Sequence, residues 1–169
     1  EGAFAGSGTN VAVFGRDLAW IGTGASTRCR VLQTKDGGGA WTIAETPVAA
    51  SPSAGIFSVA FRDARHGATV GGDYRREEEA VDNAAVTADG GATWTAVKGL
   101  SGFRSVVAYV PGTKTSWIAV GPSGSDMSTD DGRTWRPFGR DGYHAFSFAP
   151  RGNTGWGIGE GGRISKLIW

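Results

Sequence analysis

Apolar residues in this chain fall in short runs separated by Gly, Pro, Asn and Asp. The runs are rich in β-branched and aromatic side chains and too brief for helices, so they predict strands. Two classes recur in order. One starts from a glycine: residues 55–61, 102–107 and 142–148, with 2–7 as a degenerate first copy. The other ends in glycine: 19–22, 68–71, 117–121 and 156–159. A last run, 163–167, closes the pattern. No helix of normal length is predicted, and the chain reads as all-β.

A single turn template punctuates these strands three times, at 34–41, 87–94 and 128–135. It reads hydroxyl, any, Asp, any, Gly, any, small residue, Trp. Asp36, Asp89 and Asp130 can accept backbone N–H groups ahead of them and fold the chain tightly. Gly38, Gly91 and Gly132 supply a backbone angle that other residues resist. Trp41, Trp94 and Trp135 are expected to cover each hairpin with a large apolar ring. The template resembles the Asp-box, or bacterial neuraminidase repeat, a hairpin turn of certain β-propellers. The tryptophans are spaced by 53 and then 41 residues, near the roughly 40–50 residues of a four-stranded propeller blade. The expected blades are 1–50, 51–100, 101–139 and an incomplete fourth, 140–169, each ordered inner strand, second strand, third strand, turn, outer strand. The fold class is a β-propeller fragment of about three and a half four-stranded blades.

Segments 1–10, 55–63, 70–74, 80–83 and 121–126 are similar to bacterial propellers related to the plant photosystem II stability and assembly factor. The likeness covers essentially the whole chain but only the latter half of a family member. It implies a non-enzymatic scaffold that binds a protein or peptide, in an exported (periplasmic or extracellular) protein. Rings usually have four to eight blades, closed to remove open ends. Either an N-terminal half of the propeller or a second copy is therefore expected to complete this one. The opening residues, without an initiator Met, read as those of a mature or trimmed piece.

Composition narrows the partners. Seventeen basic against sixteen acidic residues leave a net charge of +1, which does not make the basic face that nucleic acid requires. No apolar run approaches the roughly 20 residues that span a bilayer. Cys29 is the single cysteine, so no intrachain disulfide forms, and a half-buried strand thiol is expected. No Gly-x-Gly-x-x-Gly unit opens a helix and no Cys/His cluster has metal spacing, so neither a cofactor nor a metal is expected. The turn carboxylates read as staples, and their spacing fails a single-loop calcium pattern.

The propeller resemblance implies that inner-strand starts and second-strand ends open on one face, around the channel mouth. Phe57, Arg104 and His144 are expected there in equivalent positions, with Asp73, Ser123 and Glu160 opposite and Glu1 nearby. An insertion after Asp73 adds Tyr74, Arg75 and Arg76, followed by three glutamates, as a partner-binding lip or a solvated turn. These residues form the expected ligand- or partner-binding site; no catalytic residue is assigned. The competing class is a sialidase-like glycoside hydrolase or carbohydrate-binding propeller. A sialidase needs an arginine cluster and a Tyr nucleophile with its Glu. Here Arg104 stands alone at a predicted mouth, and no Glu is placed beside Tyr143.

Overall fold

The computed structural model describes residues 1–6, 8–150 and 152–169. It is all-β, with one 3-10 turn at Glu160–Gly162 and no α-helix among the described residues. The first sheet is β1 (Val11–Phe14), β2 (Leu18–Gly22), β3 (Arg30–Thr34) and β4 (Thr42–Glu45). The second is β5 (Ala54–Phe61), β6 (Gly67–Asp73), β7 (Ala84–Thr87) and β8 (Thr95–Ala96). The third is β9 (Val106–Tyr109), β10 (Trp117–Gly121), β11 (Gly124–Ser128) and β12 (Arg136–Gly139). The fourth has three strands, β13 (Ala145–Phe148), β14 (Thr154–Ile158) and β15 (Ile164–Ile168). Every strand pairs antiparallel with its sequence neighbour, which makes each sheet a propeller blade.

One expectation shifts. The first inner strand lies at Val11–Phe14, not at 2–7. Gly2 instead bridges Gly24, which also bridges Gly55. Added Cβ atoms would press Gly24 against the Gly55 Cα at 2.7 Å, so small residues let three chain segments meet there. Ser7, also in that expected strand, lies outside the described residues.

Between blades the core is three apolar layers. Trp20, Val31 and Val48 of blade one meet Ile56, Val59, Ala85 and Trp94 of blade two. The opposite face of blade two, Ala68, Val70 and Ala84, meets Val107, Trp117, Ala119 and Trp135 of blade three. Val106, Ile118 and Val120 of blade three meet Tyr143, Phe146, Phe148, Leu167 and Trp169 of blade four. Strand alternation explains this: neighbours such as Ile118 and Ala119 point to opposite faces and are buried by different blades.

The repeated turn has one hydrogen-bond pattern in all three copies. The Thr34, Thr87 and Ser128 hydroxyls each donate to the following Asp at 2.8 Å and accept the N–H of Gly38, Gly91 or Gly132 at 2.9–3.0 Å. The N–H groups of Ala40, Thr93 and Thr134 close onto the same carboxylates at 2.9–3.0 Å. Those glycines have φ of 100°, 93° and 77°, the left-handed region that side chains disfavour. The tryptophans divide: Trp94 and Trp135 are 9% and 6% exposed, whereas Trp41 is 42% exposed. Trp94 and Trp135 are each covered by the blade before their own, and among the described residues Trp41 has no such neighbour.

Partial burial opposes ionisation of Asp89, but hydrogen bonds from Thr93 and Thr87 outweigh it and hold its pKa down to about 2. A depressed carboxylate stabilises the fold at pH above its ordinary value and loses that effect as pH falls through the folded value. Asp89→Ala should therefore cost about 1–2 kcal/mol at neutral pH. The cost should shrink between about pH 4 and pH 2, read as a converging pair of denaturation midpoints. Equal midpoints at neutral pH would remove the carboxylate from the account of the turn.

Candidate binding face

Strand register puts one set of loops at one end of the blades. Asp73 pairs with Ala54, Gly121 with Gly124, and Ile158 with Ile164, all at this end. The repeated turns lie at the other, where Gly67 pairs with Thr87 and Trp117 with Ser128. The sequence-predicted mouth residues thus share one face, but most of their charges are not free.

Arg104 is 0% exposed. Its Nε donates to Asp126 Oδ2 at 2.6 Å, and Nη1 donates to Phe103 O at 2.7 Å and Ser123 Oγ at 3.0 Å. Nη2 donates to Ser101 Oγ, which in turn donates to Asp126 Oδ1. Burial pulls the guanidinium below its ordinary pKa, against the attraction of Asp126. Arg104, expected among the residues of the channel mouth, thus has all three guanidinium nitrogens hydrogen-bonded within the fold. Asp126, itself fully buried, is the partner that sequence reasoning missed, because no periodic signal marks it within its strand.

The expected equivalence of Phe57, Arg104 and His144 is also off by one. The interblade bonds Ile56 N–H to Thr23 O, Arg104 N–H to Gly71 O, and Tyr143 N–H to Gly121 O align Arg104 with Ile56 and Tyr143. A bulge between Ile56 and Ser58 hides this register in the sequence.

Asp73 is buried beneath its own insertion. It accepts the Arg75 N–H at 3.0 Å and the Arg76 Nε and Nη2 at 3.1 and 3.0 Å. Desolvation works against its charge, but those donors prevail and its pKa is lowered. Arg76 also pairs with Glu79 at 3.1 Å. The Glu77 carbonyl accepts Phe103 N–H at 2.8 Å and Ser123 Oγ–H at 2.9 Å, and Asp82 O accepts Ala49 N–H at 2.7 Å. The insertion is therefore tied by its backbone to blades one and three, while its residues 74–82 stay exposed. Beside it lies a groove of about 250 Å³ lined by Ala49, Ser51, Asp73, Arg76, Glu79 and Val81.

Phe57 is buried in an aromatic cluster, with Phe4 stacked at 4.0 Å and Phe103 edge-on at 4.6 Å. Tyr74 caps this cluster from the exposed side, and the Arg75 guanidinium lies 5.7 Å from the Tyr74 ring centroid. That is a cation–π distance. Glu1 binds Arg30 and Thr23, which hold its carboxyl down to about 2. On blade four, His144 Nε2 stands 3.8 Å from Glu160 Oε1, both largely exposed. Among the described residues no hydrogen bond joins this pair to Asp73 or Ser123. Cys29 is more buried than expected, and desolvation raises its thiol to about 11. Among the described residues no three His, Cys, Asp or Glu side chains are placed to hold a metal. Among the described residues no helix is long and apolar enough to cross a membrane.

Blades, interblade layers and a loop-built face define a β-propeller fragment. Its structural neighbours include the chain "YCF48 bound to D1 peptide", at 18% identity and a TM-score of 0.64, covering 94% of this chain and 50% of that one. The GH74 enzyme of Niastella koreensis matches at 17% identity and TM-score 0.67, over 98% of this chain and 29% of that one. The computationally designed Ika4 protein matches at 13% identity and TM-score 0.59, over 98% of this chain and 95% of that one. No family model and no curated protein matches the sequence. The chain thus spans about half the length of the YCF48 structure and under a third of the GH74 enzyme.

Proposed function

We propose that this chain is part of a non-enzymatic β-propeller scaffold that binds a protein or peptide on the loop-built face. In this reading the repeated turns are Asp-boxes, the blades divide at 50, 100 and 139, and further propeller blades complete the ring. One observation carries it. The buried charges of the face are consumed by internal pairs, while Tyr74 and Arg75 are presented outward above a rigid aromatic base beside a groove. An exposed aromatic–arginine pair on a fixed platform is the composition of a protein-contact hot spot. Likeness to a propeller whose structure is titled with a bound D1 peptide supports the reading at the level of fold.

Isothermal titration with a D1 peptide, alongside peptides of unrelated sequence, tests it. Binding of one of them is expected, weakened at least about tenfold by a Tyr74→Ala, Arg75→Ala double variant. Failure of every peptide would count against the scaffold. The second reading, a glycoside hydrolase or carbohydrate-binding propeller, draws on the fold shared with GH74 enzymes. The Tyr143 hydroxyl donates to Ser165 Oγ at 2.9 Å, so a nucleophilic role would first require breaking that bond. Turnover of aryl glycosides that vanishes in Tyr143→Phe would replace the scaffold reading.

A further inference from the structure

Equivalent positions recur in the three interblade layers. The carbonyls of Thr23, Gly71 and Gly121 receive the equivalent interblade bonds. The residues before them, Gly22, Val70 and Val120, pair with Val31, Ala84 and Ser125. Val31 and Ala84 are buried apolar members of their layers. Ser125 is just as buried, at 1% exposed, but its Oγ has no hydrogen-bond partner. Among the described residues only Trp94 Nε1 shares that condition. A buried hydroxyl left unpaired costs free energy that the apolar residues at the other two positions avoid.

The third layer is also short of apolar filling. Val48 fills the first layer and Leu100 the second, each from the connector ahead of Ile56 or Arg104. Ahead of Tyr143, their counterpart, the chain runs Gly139-Arg140-Asp141-Gly142, without an apolar side chain. A cavity of about 120 Å³ remains between blades three and four. Ser125 and Gly139 line one side, and Tyr143, Phe146 and Leu167 line the other. Phe138 and Asp141 border it and are exposed, so it opens to solvent. In the other two layers the outer strand of the following blade does not fill this place. Ala96 and Pro137, opposite Ala85 and Asp126 on that face, are exposed. The Tyr143 hydroxyl is committed to Ser165, which leaves Ser125 as the unpartnered hydroxyl of the wall.

Two departures of the third repeat, a serine for an apolar residue and a connector without one, thus meet at one cavity. Its walls carry three aromatic rings, those of Phe138, Tyr143 and Phe146. An apolar cavity of about 150 Å³ holds benzene, so the space suits a single ring. We propose that this cavity binds a phenol ring, whose hydroxyl exchanges a hydrogen bond with Ser125 Oγ. The ring packs against the aromatic walls in edge-to-face or offset contact. Two sources share this chemistry, a tyrosine side chain of a bound protein and a free small phenol. The site lies between blades three and four and uses neither Tyr74 nor Arg75, so its failure would leave the peptide-binding reading untouched.

Amide-resolved NMR of the 169-residue chain, with p-cresol as the probe, tests the proposal. Saturable shifts are expected at Val120, Ser125, Gly139 and Gly157, which line the cavity. Ser125→Ala should weaken p-cresol about fivefold and leave toluene, which lacks the hydroxyl, no weaker. Gly139→Leu supplies the apolar side chain found in the other layers and should abolish the shifts. A Cβ at Gly139 would meet only Ser125 Cβ, at 3.9 Å, so the milder Gly139→Ala should fold and weaken binding in the same direction. N-acetyltyrosinamide separates the sources. Shifts at the same amides assign the site to a partner's tyrosine, and shifts with p-cresol alone assign it to a free phenol. No saturable shift at these residues, as from a cavity that holds only water, would overturn the proposal. So would equal weakening of p-cresol and toluene in Ser125→Ala.

Discussion

Asp126→Ala is expected to cost about 3–5 kcal/mol of stability, the range for removing one partner of a buried ion pair. The size follows from what is left behind. Arg104 has no exposed surface, so its charge would lose the 2.6 Å bond to Asp126 Oδ2 and gain no water in exchange. Ser101 would lose the acceptor for both its N–H and its hydroxyl. Urea denaturation followed by tryptophan fluorescence reads the loss as a lower midpoint. An Arg104→Met, Asp126→Leu double variant should recover much of it, because a buried pair replaced by apolar groups is often neutral. A single variant that loses less than about 1 kcal/mol would mean that Arg104 reaches solvent.

The second large effect separates two tryptophans that occupy the same place in the turn template. Trp94→Ala should cost about 3–5 kcal/mol, since the ring is buried in the layer with Trp20, Val31 and Ile56. Trp41→Ala, at a ring that is 42% exposed, should cost about 1 kcal/mol or less. The Trp94 indole nitrogen is buried without a hydrogen-bond partner, so Trp94→Phe should recover most of the loss. Equal costs for the two alanine variants would contradict the burial difference between the first and second blades.

Much of the fold was legible because it is written three times. The hydroxyl, Asp, Gly and Trp of each turn interact within a few residues, and local chemistry of that kind survives in sequence order. Thr87, Asp89, Gly91 and Thr93 meet through bonds spanning two to four residues. The end run at 163–167 was likewise visible, and it forms β15. The first inner strand was misplaced because glycines at 2 and 6 imitate the glycine that opens the others. In the structure Gly2 serves a close backbone contact instead.

The face was legible in its location and much less in its chemistry. Asp73, Tyr74, Arg75, Arg76, Ser123, His144 and Glu160 lie at one end of the blades, the end at which the propeller resemblance put them. Whether a charge there is free depends on partners far along the chain. Arg104 lies just before β9 and Asp126 within β11, 22 residues apart. Glu77 and Ser123 are 46 apart and on different blades. Side-chain alternation and turn chemistry are properties of adjacent residues, so the sequence by itself determined an all-β chain of repeated blades and the positions of its turns. Which arginine is consumed, which insertion is tied down and which tryptophan is covered were decided by the tertiary structure. Those outcomes depend on one blade being laid against the next, and a one-residue register shift at the Ile56–Ser58 bulge changes which side chains meet.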